Sequence, residues 1–257
     1  MRVIGFLLFL SVLMLSIGAT ANSLIADQIK DRSWLGSYMQ NGEEKSKSLI
    51  VEKSKYPDTE SRDLYLKFTA GEFDIKDSES DFLQVESKYY ENFGEPEISE
   101  NFSNKNLDLE LRQKSSKGPY LNFGVLKGPK YDVKIGESGI DTNIVLRLTA
   151  GDGKIDLSKL KLKNLDLEMT AGNIDLTLEN RSIPDNVDMK VTAGDMKLTL
   201  PKDIALEINY KKTAGDLQIN GENVNNGSDK YTYNSSASKK VKINITITAG
   251  NLDIKLK

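Results

Sequence analysis

Acidic side chains occupy one position of a repeated motif and are the first candidates for chemistry. Four of them directly follow a Thr-Ala-Gly tripeptide, namely Glu72, Asp152, Asp195 and Asp216, and Asn173 and Asn251 take the same place after two further copies. Carboxylates in such a series suggest either an acid/base pair for glycoside cleavage or a row of calcium ligands. An active site needs one unique arrangement, whereas a residue that recurs after every turn is typical of a turn former. The pattern therefore favours a structural role for these residues.

The composition excludes much of the remaining chemistry. The chain contains no histidine and no cysteine, so it lacks the commonest general base, the thiol nucleophile and the usual zinc ligands. Its 35 basic and 38 acidic residues are interleaved, which is not the footprint of a nucleic-acid-binding protein. The sequence predicts a protein that is not an enzyme and has no cofactor or metal. An enzyme acting on acidic polysaccharide remains the alternative.

A polar insertion interrupts the repeat and contains two tyrosines. The last two Thr-Ala-Gly copies start 35 residues apart instead of about 21, and the extra segment carries Tyr231 and Tyr233 among amides and hydroxyls. Aromatic rings with a polar handle suit contact with a glycan or a partner protein. We expect this segment to project from the repeat or wrap around it, and the alternative is an ordinary solvated excursion.

A basic pair marks a second irregularity. Lys211 and Lys212 stand where apolar residues are expected before the fifth corner, and Ile208 and Tyr210 look out of phase with the other copies. Such a pair could meet an anionic wall polymer or lipid headgroups outside a cell. Plain solvated surface is the alternative interpretation.

The repeat itself defines the elements that must carry these residues. Thr-Ala-Gly starts at positions 69, 149, 170, 192, 213 and 248, and the four central copies are 21, 22 and 21 residues apart. Apolar and polar residues alternate on both sides of each copy, which indicates strands. Glycine admits backbone angles closed to other residues, so it is predicted to make the corner. The predicted corners are Gly71, Gly151, Gly172, Gly194, Gly215 and Gly250. An extra residue at Gly153 is predicted to form a bulge.

These features predict an all-β fold, namely a single-stranded β-solenoid of about 21-residue coils. A β-sandwich is the alternative, but it has no reason to repeat one corner tripeptide at a constant period. A short helix is predicted near the N-terminal part, with Ser78 as its cap and Phe82, Val85 and Tyr89 on its apolar side. The strands at 243–247 and 252–256 have no polar cap after them, so we expect the last coil to support homo-oligomers.

Several segments resemble the toast-rack superfamily, specifically its cell-wall-active-antibiotics-response, LiaF-like branch. They are residues 131–135, 146–151, 155–160, 165–178, 198–201, 230–231 and 243–256, and residues 64–112 resemble the N-terminal domain that precedes this module in relatives. The resemblance implies a right-handed, β-helix-like fold and a role in adhesion or envelope-stress signalling. It implies no catalytic residues. Membrane-bound relatives couple the module to a sensor kinase through several transmembrane helices, so the regulatory role does not carry over directly.

The domain organisation begins with an export signal. Residues 1–21 combine Met1-Arg2, an apolar run and Ala19-Thr20-Ala21, which predicts a cleaved signal peptide, with an uncleaved anchor as the alternative. A polar lead with one strand is predicted over 22–60, the toast-rack N-terminal domain over 61–115 and the LiaF-like solenoid over 116–257. We expect an extracytoplasmic protein, secreted, periplasmic or on the cell surface, that contacts an envelope protein or polymer.

Overall fold

Alternating sequences produce an almost purely β structure. This computed structural model describes residues 43–79, 81–90, 93–114, 128–136, 139–179, 181–224 and 230–257. Within those ranges fifteen strands join in one sheet, and a short 3-10 turn forms at Lys53–Lys55. The all-β prediction is confirmed, while the solenoid geometry and its coil size stay predictions. The predicted signal peptide lies outside the described residues. None of the described residues forms a helix that could span a membrane.

Long strands continue through the repeated corners. The strands are β1 Glu44–Val51, β2 Ser61–Phe68, β3 Glu72–Ser78, β4 Leu83–Tyr90, β5 Pro96–Ser103, β6 Asn106–Gln113, β7 Lys130–Gly136, β8 Asp141–Asp156, β9 Leu162–Thr177, β10 Asn186–Leu200, β11 Ala205–Ala214, β12 Leu217–Ile219, β13 Glu222–Asn223, β14 Lys230–Tyr233 and β15 Lys240–Leu256. Strands β8, β9, β10 and β15 each contain a whole Thr-Ala-Gly corner. We call the part of each repeat before the corner the first arm and the part after it the second arm.

The strands of each arm stack in a fixed order. The first arm runs β5-β6-β2-β8-β9-β10-β15-β11-β14, and the second runs β1-β4-β7-β3-β8-β9-β10-β15-β12-β13. The middle strands are parallel, and antiparallel strands complete both ends of each arm. Apolar side chains alternate inward from both arms and form one continuous core, with Leu167 and Leu198 among its fully buried members. The register keeps corner beside corner, as in Gly151 opposite Gly172.

From β8 onward, the order of the stack departs from the order of the chain at one place. Strand β15 lies between β10 and β11, so Ile245 is opposite both Met189 and Tyr210. The second half of β15 is likewise held between β10 and β12. Strand β15 is therefore not the end of the stack, because both of its edges are already hydrogen-bonded. Homo-oligomerisation itself stays a prediction.

The predicted short helix after Ser78 is wrong, because this segment forms strand β4. Leu83, Val85, Ser87 and Tyr89 alternate inward, which is the period of a strand. Ser87 hides this period in the sequence, since it is polar yet buried. Its hydroxyl donates to the Lys47 carbonyl oxygen at 3.1 Å.

No bulge occurs at Gly153, and that prediction is also wrong. Gly153 continues the register, opposite Ile174 on one side and Phe73 on the other. It takes an inward position that is apolar in the neighbouring repeats. The Phe73 ring lies 3.8 Å from the place of its missing β-carbon, so the ring supplies the missing volume. The register shift of β8 lies instead between Thr142 and Asn143.

Strands from both predicted domains share one sheet. Residues 64–68 of β2 pair with residues 144–148 of β8, and Ile75 of β3 lies opposite Ile155. Residues Glu44–Ser116 and Gly128–Lys257 form one compact unit. The boundary between residues 115 and 116 stays a prediction.

Candidate functional site

The corner glycines form a closely packed column. Gly172 has a φ of 122°, and a β-carbon added to it would lie 1.8 Å from the Gly151 carbonyl oxygen. The same overlap recurs between Gly194 and the Gly172 oxygen at 1.9 Å. In space the column runs Gly71, Gly151, Gly172, Gly194, Gly250, Gly215. Glycine is needed here for two reasons. It adopts the required positive φ, and it lets the next strand approach closely.

The acidic residues after the corners belong to a ladder of hydrogen bonds. Asn173 Nδ2 donates to Asp152 Oδ1 at 2.8 Å, and Asn251 Nδ2 donates to Asp195 Oδ1 at 2.7 Å. The backbone N–H of Asp216 donates to Asn251 Oδ1 at 3.0 Å. Each of these carboxylates therefore has an amide beside it. Amides between carboxylates keep like charges apart in neighbouring strands, where direct opposition would destabilise the sheet.

Among the acidic corner residues, only Glu72 and Asp152 face each other. On the other side of Glu72, Lys130 Nζ lies 2.5 Å from its Oε2. Among the residues that the structure describes, no group of three or more potential metal ligands comes together. The corner carboxylates are arranged as a regular surface of paired polar groups.

The second arm carries an open cleft of about 1170 Å³ on its outer face. Its lining includes ion pairs between neighbouring strands, such as Lys130 to Glu72 at 2.5 Å and Lys197 to Asp175 at 3.8 Å. Lys76 Nζ lies 3.2 Å from Oδ2 of Asp132, another lining residue. The hydrogen bond from Lys76 to the Asp132 carboxylate raises the pKa of Lys76, so the lysine stays charged. Cross-strand charges here largely neutralise one another. The cleft offers hydrogen-bonding groups over many strands.

Aromatic side chains support this cleft from inside the core. The rings of Phe68 and Phe73 lie 4.5 Å apart, and Phe73 stacks on Tyr131 with centroids 5.7 Å apart. Gln113 donates its amide N–H to the Tyr131 hydroxyl, which satisfies a buried polar group. Burial raises the pKa of Tyr131, so this phenol stays neutral.

The two lysines before the fifth corner lie on opposite faces of β11. Tyr210 is opposite Ile245, and Lys212 is opposite Ile247, so the apolar rows remain in register. The predicted shift of phase is therefore wrong. Lys212 occupies an inward position with 16% of its side chain exposed, 3.9 Å from Asp216 Oδ1. Lys211 points outward beside Thr246.

The two tyrosines of the insertion belong to strand β14. Tyr231 is opposite Ile208 and Tyr233 is opposite Leu206, in antiparallel pairing with β11. Both rings are half-buried and pack against the core. The insertion thus adds a strand to the first arm, and its residues 225–229 lie outside the described part. Contact of either tyrosine with a partner stays a prediction.

Arg62 is a buried cation that the sequence interpretation missed. It is fully buried on β2, where Nη1 donates to the Phe82 carbonyl oxygen at 2.8 Å. Its Nη2 donates to the Gly136 carbonyl oxygen at 3.2 Å and to Thr142 Oγ1 at 3.1 Å. Burial lowers the pKa of Arg62 to about 10, which still leaves it charged at neutral pH. The sequence signal was its place in the inward series that continues through Leu64.

Comparison with known proteins places these features in a family context. The profile of the N-terminal domain of toast_rack matches residues 39–200, and the profile described as cell wall-active antibiotics response LiaF, C-terminal, matches residues 149–254. The resemblance deduced from the sequence is thereby confirmed. No curated protein matches the chain at a significant level.

The chain is also similar to solved structures, and one of them shares its fold. A putative cell adhesion protein from Clostridium sporogenes is 28% identical over 84% of this chain and 100% of its own, with a TM-score of 0.74. A putative adhesin from Bacteroides fragilis is 11% identical over 82% of this chain and 97% of its own, with a TM-score of 0.31.

Proposed function

Because the chain belongs to the toast-rack family, we propose that it is an exported, non-enzymatic interaction module of the cell envelope, adhesive or linked to envelope stress. It acts outside the cytoplasm, as a secreted, periplasmic or cell-surface protein that contacts an envelope protein or polymer. The observation that carries this proposal is the ladder after the corners, because from β8 onward its carboxylates alternate regularly with amides. Asp152 and Asp195 are equivalent members of it. A catalytic centre requires one strand to differ from the others.

A similar solved structure adds support from a different direction. The solved relative from Clostridium sporogenes carries the description of a putative cell adhesion protein, and this chain covers its whole length. Adhesion needs extended polar surfaces, and both arms supply such surfaces on their outer faces. The LiaF-like match over 149–254 supports the link to envelope stress.

We also propose that the middle strands form coils of a right-handed, single-stranded β-solenoid. The register supports a coil of about 21 residues, because Ala150 pairs with Ala171 and Asp195 pairs with Asn173. In each coil the chain passes from the first arm to the second arm at the corner. After the second arm it returns to begin the first arm of the next coil. An experimentally determined structure of the purified chain, with its coil handedness, tests this part directly.

A pull-down with the purified chain tests the functional proposal. The chain without residues 1–21 serves as bait for envelope extract and for isolated envelope polymers, and we expect saturable binding. Binding to neither extract nor polymers would contradict the proposal. The rival enzyme is tested in parallel by turnover of acidic polysaccharide with the Asp152→Asn/Asp195→Asn double variant as control. Turnover that the double variant loses would establish the enzyme instead.

A further inference from the structure

Three cations lie side by side on the outer face of the first arm. Lys67 on β2 is directly opposite Arg112 on β6 and Arg147 on β8. Like charges directly opposite each other on neighbouring strands destabilise a sheet. The stability of this row therefore depends on where each cation finds a negative charge.

The two arginines find carboxylates on the sides that face away from Lys67. Arg147 Nη1 donates to Asp166 Oδ1 at 2.9 Å, and this bond raises the pKa of the arginine. Arg112 Nε donates to Glu97 Oε1 at 2.7 Å. The Nη1 and Nη2 groups of Arg112 have no partner among the residues described. They remain able to bind an anion in the bidentate manner of guanidinium groups.

Lys67 receives no such compensation. It is exposed, and within the described ranges its ammonium makes neither an ion pair nor a hydrogen bond. It thus lies between two guanidinium groups without an acid of its own. An anion bound beside it would relieve the repulsion in this row.

An exposed aromatic ring lies next to this cation on the same face. Tyr65 precedes Lys67 by two residues on β2, so both side chains point outward. Tyr65 is 46% exposed, and it is one of three exposed large hydrophobic residues in the described part of the chain. Glu110 lies directly opposite Tyr65 and offers a carboxylate to hydroxyl donors. A sugar ring can stack on an exposed aromatic face while its hydroxyls bond to neighbouring polar groups.

We propose that Tyr65, Lys67 and Arg112 bind an acidic sugar unit of an envelope polymer. The sugar ring stacks on Tyr65, and its anionic group lies between the Lys67 ammonium and the free nitrogens of Arg112. The shared chemistry is a saccharide that carries a carboxylate or a phosphate. The proposal deepens the proposed function, on which it rests, because it names the ligand class and the face that binds it.

Titration of the purified chain with defined polymers tests this site. The probes are oligogalacturonate as the carboxylate source, a phosphorylated dextran as the phosphate source, neutral dextran, and polyglutamate as an anion without sugar rings. We expect binding of at least one acidic saccharide, weakened by salt because the charges are exposed. Neutral dextran and polyglutamate should bind at least about tenfold more weakly. Equal binding of polyglutamate would overturn the role of the sugar ring, and no binding of either acidic saccharide would overturn the proposal.

Three variants separate this face from the cleft of the second arm. Lys67→Gln should weaken binding of the acidic saccharide about tenfold or more, and Tyr65→Thr should do so without changing strand propensity much. Lys154→Gln is the matched control, because Lys154 is an equally exposed lysine on the second arm. Circular dichroism and thermal unfolding confirm that each variant folds. Unchanged affinity in folded Lys67→Gln, or equal loss in Lys154→Gln, would overturn the assignment.

The same variants in the envelope pull-down distinguish the two proposals. If wild-type chain binds envelope material and Lys67→Gln binds it equally well, the sugar site is wrong and the interaction module stands. If wild-type chain binds no envelope material while the isolated saccharide still binds at Tyr65, the envelope function is wrong and the site stands.

Discussion

The carbonyl oxygen of Gly151 occupies the space that a side chain on Gly172 would need, because an added β-carbon would lie only 1.8 Å from it. The relationship repeats along the column, so each corner glycine is fitted against the backbone of the neighbouring strand. A regular surface follows from this packing, since it brings equivalent residues of successive repeats into one row.

Substitution by alanine should have opposite effects on stability at two glycines that are only two residues apart. Gly151→Ala should cost about 3 kcal/mol or more, because its β-carbon would lie 2.0 Å from the Gly71 carbonyl oxygen at a φ of 134°. Gly153→Ala should be neutral or stabilise by about 0.5 kcal/mol, because its nearest neighbours are at ordinary contact distance, 3.8 Å or more. Urea unfolding of both variants measures the difference. Similar midpoints for the two variants would disprove the packed column.

Asn173→Asp should destabilise the ladder after the corners. The change replaces the donor to Asp152 with a third carboxylate between Asp152 and Asp195, which should cost roughly 1 kcal/mol. Added salt should reduce the loss, because these groups are exposed. Thermal unfolding at low and high salt measures it. Asn164→Asp is the matched control, since Asn164 donates to Asn143 and has asparagines opposite it on both strands. A larger loss in the control would refute the charge-separation argument.

Arg62→Ala should destabilise the fold by about 3 kcal/mol or more. It removes the donor to three acceptors at Phe82, Gly136 and Thr142, and a buried acceptor without a partner costs about 1–3 kcal/mol. Arg62→Lys should lose less, because an ammonium retains the charge and several donors. Chemical unfolding monitored by circular dichroism gives both values. Equal stability of Arg62→Ala and wild type would show that the buried guanidinium is dispensable.

The position of β15 between two strands predicts a strong effect of a core change near residue 254. Ile254 is fully buried opposite Leu198 and Ile219, so Ile254→Ala should cost about 3 kcal/mol. Lys255→Ala changes an exposed neighbour and should stay within about 0.5 kcal/mol. Urea unfolding compares the two. A cost below about 1 kcal/mol for Ile254→Ala would argue against an interior place for this strand.

The sequence predicted what local chemistry decides and missed what long-range pairing decides. Corner glycines and period-two alternation are local signals, so the strands and their corners could be located. The insertion of β15 between β10 and β11 could not be predicted, because β11 and β15 share the same alternation and the same corner. Only the energy of strand pairing selects their neighbours. The burial of polar residues such as Ser87 and Arg62 could not be recognised from the sequence, because their hydrogen-bond partners come from distant segments.

The predictions about the candidate site divide in the same way between local and long-range features. The regular row of corner residues could be predicted from their recurrence, while their structural role stays a prediction. The apolar residues before the fifth corner were predicted to be out of phase because a lysine, Lys212, fills an inward position that is apolar in other repeats. In this repeat β11 has only the short strand β14 on the edge away from β15. The row at Lys67 was not visible at all. It becomes apparent only when β6, β2 and β8 lie side by side, although their residues are far apart in the chain.

The insertion of β15 between β10 and β11 also sets an order of events. Strands β8, β9 and β10 can pair with one another as each emerges, but β11 must wait for a partner that the chain supplies later. Pairing across such sequence distances is slow and leaves strand edges exposed meanwhile. For a protein that is synthesised from its N-terminal side, this interval is a period of exposure to aggregation and proteolysis. The intercalation of β15 ends it, because β15 supplies the parallel partner that β11 lacks.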